Sequence, residues 1–406
     1  MTETADTRNA PHDAPLPVAG LLALAMTGFI CIVTETLPAG LLPQIGEGLR
    51  VSPSYAGQMV TAYAVGSLTA VIPLTLATRQ WQRRTVLLLT IIGFLVFNSA
   101  TAWSDNYWLT LLARYFAGVS AGLAWSLIAG YARRMVSPHQ QGRALAIAMA
   151  GTPIALSLGV PLGTWLGTLV GWRSAFGIMS ILTLLLIVWV LAKVPDFPGQ
   201  SGNEKMQLRK VIMTPGVRSI LGVVIAWMLA HNILYTYVAP FVAPAGLGGK
   251  VDLILLVFGV AALLGIWVTS RLVDRFLRGA VLTSLAVFGV TSLLFGIGAQ
   301  SPAVIYGGVA VWGLTFGGAA TLLQTALADT AGDGADVALS MNVVVWNSAI
   351  AGGGVLGGIL LDTWGVASFP WALLVLILIG LSFAITARTH GFPAGHRMSS
   401  AEVVGH

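Results

Sequence analysis

The chain has 406 residues, of which 56% are hydrophobic and only 9% charged, far from the roughly 25% charge of a soluble domain. The balance of +6 carries no nucleic-acid signature, because the basic residues sort by loop. The one cysteine, Cys31, excludes a disulfide framework and a thiolate metal site.

Residues 1–17 form a polar tail with Glu3, Asp6 and Asp13 against Arg8. It lacks the basic n-region of a secretory signal, so the apolar run behind it is expected to be retained as a span. That run, residues 18–42, holds a carboxylate, Glu35, with Pro38 three residues on. An acid at the centre of a membrane helix costs roughly 2.5–3.5 kcal/mol and by default marks an ion, proton or substrate path. The alternative is an acid near the rim that snorkels into water. Pro38 cannot donate to the carbonyl of Thr34, which weakens the helix beside the acid.

Further apolar segments of about 20 residues, the length that crosses a bilayer, follow at 55–78, 85–103, 107–131, 144–168, 172–193, 217–240, 250–270, 280–299, 303–328, 337–361 and 366–387. The chain is therefore expected to be an all-α membrane protein of twelve transmembrane helices in two pseudo-symmetric six-helix bundles. The bundles would be 18–193 and 217–387, the polar linker 194–216 and the C-terminal tail 388–406. If the N-terminus is cytoplasmic, 17 of the 21 Lys and Arg residues fall in inside segments and only Arg50, Arg173 and Lys250 outside. The positive-inside rule then puts both termini and the linker in the cytoplasm.

The halves repeat. A shift of 195 carries Arg83, Val86 and Leu87 onto Arg278, Val281 and Leu282, and Gly118 and Gly122 onto Gly313 and Gly317. A shift of 194 carries Gly159, Gly163 and Gly171 onto Gly353, Gly357 and Gly365. Two parallel six-span repeats suit a rocking transporter with its site near the midplane.

Three stretches carry a more specific likeness: TETLPAGLLPQI in the first span, LARYFAGVSAG in the fourth and SLGVPLGTWLGTLVGWR in the fifth. They resemble the major facilitator superfamily, in particular its twelve-span drug:proton antiporter branch of sugar, nucleoside and drug exporters. The resemblance implies a transporter and not an enzyme, driven by the proton gradient with no cofactor. It implies that Glu35 takes part in coupling, that Arg114 is the fourth-span motif arginine, and that Gly159, Pro161 and Gly163 form the fifth-span antiporter motif. Val160 separates the first glycine from the proline, a departure that weakens the drug label. In the loop after the second span the family's aspartate is replaced: Arg79, Arg83 and Arg84 stand there, whereas the second-half copy keeps Asp274 with Arg275 and Arg278. These loops are expected to form a cytoplasmic gate, or merely to set topology.

Spacing gives a separate reason to pair Glu35 with Arg114. Each lies about seven residues, or roughly 10 Å, below the same membrane rim, and two opposite charges sharing a polar cavity cost less than either alone. His231 in the seventh span is a further candidate for proton work or for an interhelical hydrogen bond. Candidates for the substrate cavity are Asn232, Tyr235, Asn342, Trp346, Asn347, Gln324, Trp125 and Tyr63, with packing as the competing role. No phosphate-binding loop is present, and the six histidines are too scattered for a metal site. The expected partners are a small-molecule substrate, protons and the lipid bilayer, with no nucleic acid, and the expected state is a monomer in a bacterial-type inner membrane. The expected activity is proton-coupled export. A proton symporter or facilitator is the first alternative, and a membrane-embedded enzyme or receptor the second.

Overall fold

The structure, a computed structural model, describes residues 15–199 and 208–393. Its helices in chain order are α1 (Val18–Gly40), α2 (Leu42–Leu49), α3 (Pro53–Ala77), α4 (Arg83–Trp103), α5 (Tyr107–Arg134), α6 (Gln141–Met149), α7 (Gly151–Ile154), α8 (Val160–Val170) and α9 (Trp172–Lys193) in the first half. The second half has α10 (Leu208–Ile212), α11 (Val217–Thr236), α12 (Val238–Val242), α13 (Val251–Gly298), α14 (Pro302–Gly317), α15 (Ala319–Ala331), α16 (Ala335–Trp364) and α17 (Phe369–Thr386). A π-helical turn, Ala155–Gly159, joins α7 to α8 within the fifth crossing.

Among the described residues, eleven stretches are long and apolar enough to cross a membrane, and one of them, Gly248–Gly298, spans 51 residues. At about 1.5 Å per residue it is more than twice a bilayer's thickness. It is bent at Phe276, whose backbone is not helical, so it supplies the expected eighth and ninth crossings. The sequence signals for starts are met locally. Ser52 and Asn106 cap α3 and α5 by accepting hydrogen bonds from the amides of Tyr55 and Leu109, and Pro53 and Pro302 open their helices, where a missing N–H costs nothing.

Two short helices fall where the sequence suggested only connections. The loop after the first span contains α2, which ends on Arg50 with a left-handed φ of 56°. The linker contains α10. Pro38 does not end α1, which runs two residues further to Gly40. Residues 1–14, 200–207 and 394–406, which hold most of the expected tails and part of the linker, lie outside the described residues.

The repeat seen in the sequence has a structural counterpart. A Cβ on Gly118 would strike the carbonyl of Tyr63, and one on Gly122 that of Ser67. Shifted by 195, a Cβ on Gly313 would strike the carbonyl of Phe258, and one on Gly317 that of Ala262. In each half these two glycines let the fourth crossing lie backbone to backbone against the second, a contact that lipid-embedded helices use because water exclusion no longer drives them together.

The same shift extends past the last helix of each bundle. After α9 the carbonyl of Phe197 accepts from the amide of Arg83 at 2.9 Å; after α17 the carbonyl of Phe392 accepts from Arg278 Nη1 at 2.8 Å. Each bundle is thus closed by a returning segment docked at the start of its third crossing.

The bundles meet along α3 with α16, α1 with α11, and α8 with α13. At the rim opposite the N-terminus of α1, here the far rim, they are hydrogen bonded. Ser54 Oγ donates to Asp362 Oδ2 at 2.7 Å. Tyr237 donates to the Gly354 carbonyl at 2.7 Å and accepts from Gln58 Nε2 at 3.2 Å. Gln58 Nε2 also reaches the Gly354 carbonyl at 3.2 Å.

Candidate functional site between the bundles

Glu35 sits on α1, five residues from its far end, where the helix is nearly surrounded by protein. The side chain is 8% exposed, and among the described residues none donates a hydrogen bond to its carboxylate. Arg114, from α5, is fully buried beside it. The two helices bring them together as the depth argument required, but the contact differs from a side-chain ion pair. Arg114 Nη2 reaches the main-chain carbonyl of Glu35 at 3.4 Å, and Nε the carbonyl of Met59 at 3.3 Å. The guanidinium lies 4.8 Å from the ring centre of Tyr63 and 5.5 Å from that of Phe176, within cation–π range. Arg114 Nη1 has no partner.

This arrangement follows from residue chemistry. A planar guanidinium can donate along its edge while its face rests on an aromatic ring, so Arg114 is held by two carbonyls and Tyr63. The Glu35 carboxylate is thereby left without a fixed donor. Tyr63, a candidate for the cavity, is instead buried inside the first bundle, where its hydroxyl donates to the carbonyl of Cys31 at 2.8 Å. It serves as a buttress beneath Arg114. Asn98 ties the third crossing to the same stretch by donating to Thr34 Oγ1 at 3.1 Å.

Across the interface, Tyr235 of α11 faces Thr36 and Glu35. Its ring belongs to a cluster with His231, Phe258, Trp312 and Phe316. Phe258, Trp312 and Phe316 carry no polar signal distinguishing them from core residues in the sequence. His231 lies flat on Phe316, with ring centres 3.5 Å apart and planes within 1°. The remaining candidates are dispersed. Asn232 donates to Met228 O at 2.7 Å within its own helix and packs under Gly353. Asn342 is buried on α16 with its Oδ1 unpartnered. Trp346 and Asn347 are half-buried one turn along; Asn347 donates to Val343 O at 3.0 Å. Gln324 is exposed on α15. Trp125 is half-buried and covers Gly28 on α1.

The fifth-span glycines have a clear physical use. A Cβ on Gly159 would meet Phe29 and Val33, and one on Gly163 would meet Leu37. With Pro161 between them, they seat α8 against the turns of α1 that flank Glu35. These residues therefore determine how closely the fifth crossing packs beside the acid.

At the near rim the charged loops hold the bundles' own ends. Arg83 Nη2 donates to the Thr78 carbonyl at 2.7 Å and also to that of Arg79. The amide of Arg84 donates to Asp196 Oδ1 at 3.0 Å, and Arg134 Nη1 to the Pro198 carbonyl at 2.9 Å. An acid thus does approach the arginine loop, from beyond α9 instead of from the motif position. Arg278 binds the carbonyls of Ala384, Ile385 and Phe392. Asp274 and Arg275 lie two and one residues before the bend at Phe276.

A family model described as the Major Facilitator Superfamily matches residues 24–354. The chain belongs to the major facilitator superfamily. It is similar to the purine ribonucleoside efflux pump NepI of Escherichia coli (strain K12), with 28% identity over 359 residues covering 88% of this chain and 90% of the pump. The pump of the same name from Shigella boydii serotype 4 is 27% identical over the same shares. Among solved structures, a bacterial homologue of the human lysosomal transporter Spinster, in an inward-facing and unoccupied conformation, superposes with a TM-score of 0.68. That match has 14% identity and covers 93% of this chain and 96% of the other. The chain is thus an integral membrane transporter of a small molecule, with the all-α fold of its family.

Proposed function

We propose that this transporter exports a nucleoside-like solute in exchange for protons by alternating access, as a monomer in a bacterial inner membrane with both termini cytoplasmic. The observation that carries the reading is the Glu35 carboxylate: buried at the bundle interface, beside a guanidinium committed to main-chain carbonyls, and without a fixed donor of its own. An acid so placed can bind and release a proton without first breaking a protein hydrogen bond. The far-rim hydrogen bonds close the path on one side, which under the charge-sorted topology is the outside. Protons would enter when that seal opens and leave towards the cytoplasm as the bundles rock.

The solute class draws support from the likeness to purine ribonucleoside pumps and from the aromatic cluster around His231, of which Tyr235 faces Glu35. His231, Asn232, Tyr235, Asn342, Trp346 and Asn347 are assigned to the solute path, and the near-rim arginines with Asp274 to the cytoplasmic gate. The test is reconstitution into liposomes containing a pH-sensitive dye. Adding inosine should move protons in the wild type. Glu35→Gln should abolish proton movement while preserving the gel-filtration profile, and retained proton movement in that variant would overturn the assignment.

A further inference from the structure

The aromatic cluster of the second bundle has two properties that a packing core does not need. The first is its set of orphaned polar atoms. His231 Nδ1, Tyr235 Oη and Trp312 Nε1 are all buried and make no hydrogen bond of good geometry among the described residues, on side chains 7%, 4% and 0% exposed, with Thr36 the polar side chain that the Tyr235 hydroxyl turns to. A buried polar group left unpaired is destabilising, and the membrane interior offers no bulk water to relieve it. Three such atoms in one ring cluster give it polar capacity that its own packing does not use.

The second property is the shape of the cluster. Phe316 presents a flat face that accepts a nitrogen heterocycle in parallel stacking, since the His231 imidazole already lies on it. Tyr235 and Trp312 flank that imidazole at 5.2 and 5.3 Å between ring centres. Phe316 itself is only half-buried, so the stack keeps one accessible member. The orphaned atoms offer one obligate donor, the Trp312 indole, and two groups that can donate or accept.

We propose that this cluster is the subsite for the planar heterocycle of the transported solute: a neutral, purine-sized base with hydrogen-bond acceptors and donors in its ring plane. The base stacks on the face of Phe316 that His231 leaves open, and the neighbouring unpaired hydroxyl and ring nitrogens supply polar contacts as the cluster adjusts around it. A sugar can meet the polar atoms but has no flat π face to stack, so affinity resides in the base. The second bundle thereby recognises the solute while Glu35 and Arg114 in the first bundle handle the proton. Tyr235, which faces Glu35, is the point where the two tasks adjoin. This inference rests on the nucleoside-export reading above.

The test is equilibrium binding of tritiated inosine to the purified full-length protein in lipid nanodiscs, with unlabelled hypoxanthine and ribose as competitors. Phe316→Leu keeps apolar bulk but removes the π face, and Tyr235→Phe keeps the ring but removes the hydroxyl. Each should weaken inosine binding by about tenfold, hypoxanthine should compete, and ribose in hundredfold excess should not. Matching circular dichroism and gel filtration exclude misfolding as the cause. If inosine binds but both variants stay within twofold of wild type, or ribose competes as well as hypoxanthine, the subsite is wrong and the export reading survives. If labelled hypoxanthine binds in a Phe316-dependent way while inosine does not bind, the subsite stands and the nucleoside reading falls. If neither ligand binds the wild type, both fall.

Discussion

Tyr237→Phe should loosen the far rim without unfolding either bundle. The ring would remain packed 6.0 Å from Phe369, and only the hydroxyl would be lost, with its donation shared between the carbonyls of Gly354 at 2.7 Å and Ser54 at 3.2 Å and the 3.2 Å bond it receives from Gln58. Net hydrogen-bond contributions are about 0.5–1.5 kcal/mol each. The Gly354 carbonyl is not orphaned, because Gln58 still reaches it at 3.2 Å. The loss of one donated and one accepted bond is therefore about 1–3 kcal/mol, a factor of roughly 5–150 in the ratio of closed to open far rim. Spin labels on cysteines replacing Glu47 and Lys250, both exposed at that rim, would report the change by double electron–electron resonance. The background is simple, since Cys31 is the only native cysteine and can be replaced by serine. A longer-distance population should grow in the variant, and a distance distribution identical to that of the parent would refute the role given to the hydroxyl.

Other substitutions test separate parts of the structure. Gly118→Leu should prevent close packing of α5 on α3, because even a Cβ strikes the Tyr63 carbonyl; the expected result is loss of monodisperse protein, with Gly118→Ala milder at about 1–3 kcal/mol, seen as a lower melting temperature. Arg114→Lys should retain charge but lose the geometry that serves two carbonyls and a ring; transport in liposomes should fall at least tenfold, and wild-type rates would argue against that geometry. Asp196→Ala removes a carboxylate that accepts from the amides of Arg84 and Phe197. Loss of such a helix cap typically costs about 0.5–2 kcal/mol, so the melting temperature should drop. Arg278→Ala should lower it too, through release of the Ala384 and Phe392 carbonyls.

The crossings were legible in the sequence because each must present about 20 apolar residues to lipid, and that requirement is local. The depth of Glu35 and Arg114 was legible for the same reason, since residue counts convert directly to height. Their contact was not. Whether a guanidinium binds a carboxylate or a main-chain carbonyl depends on where Met59, Tyr63 and Phe176 lie, and those residues are far apart in the chain. Tyr63 looked like a cavity aromatic because an aromatic residue in a span looks alike whether it meets a ligand or a neighbouring arginine. Phe258, Trp312 and Phe316 escaped notice for the converse reason: an aromatic in a hydrophobic run carries no label until the residue on its face is known. The far-rim bonds were also invisible, as Ser54 and Asp362 sit at span ends, where polar residues are expected regardless of partner. The glycine repeat succeeded because a close backbone approach tolerates no other residue, so its geometry is written directly into residue identity.

The wide turn at Ala155–Gly159 bears on how the fifth crossing serves two masters. Its flank at Gly159 and Gly163 fits the side chains of Val33 and Leu37, while Ser157 and Leu156 lie against Gly259 of the other bundle. On a regular helix successive residues advance by about 100°, which fixes the bearing of one contact once the other is chosen. One surplus residue in the coil decouples those bearings. Removing it would straighten the rod yet swing one seam away from its mate, so this irregularity is what allows a single segment to stay seated in its own bundle while abutting the other.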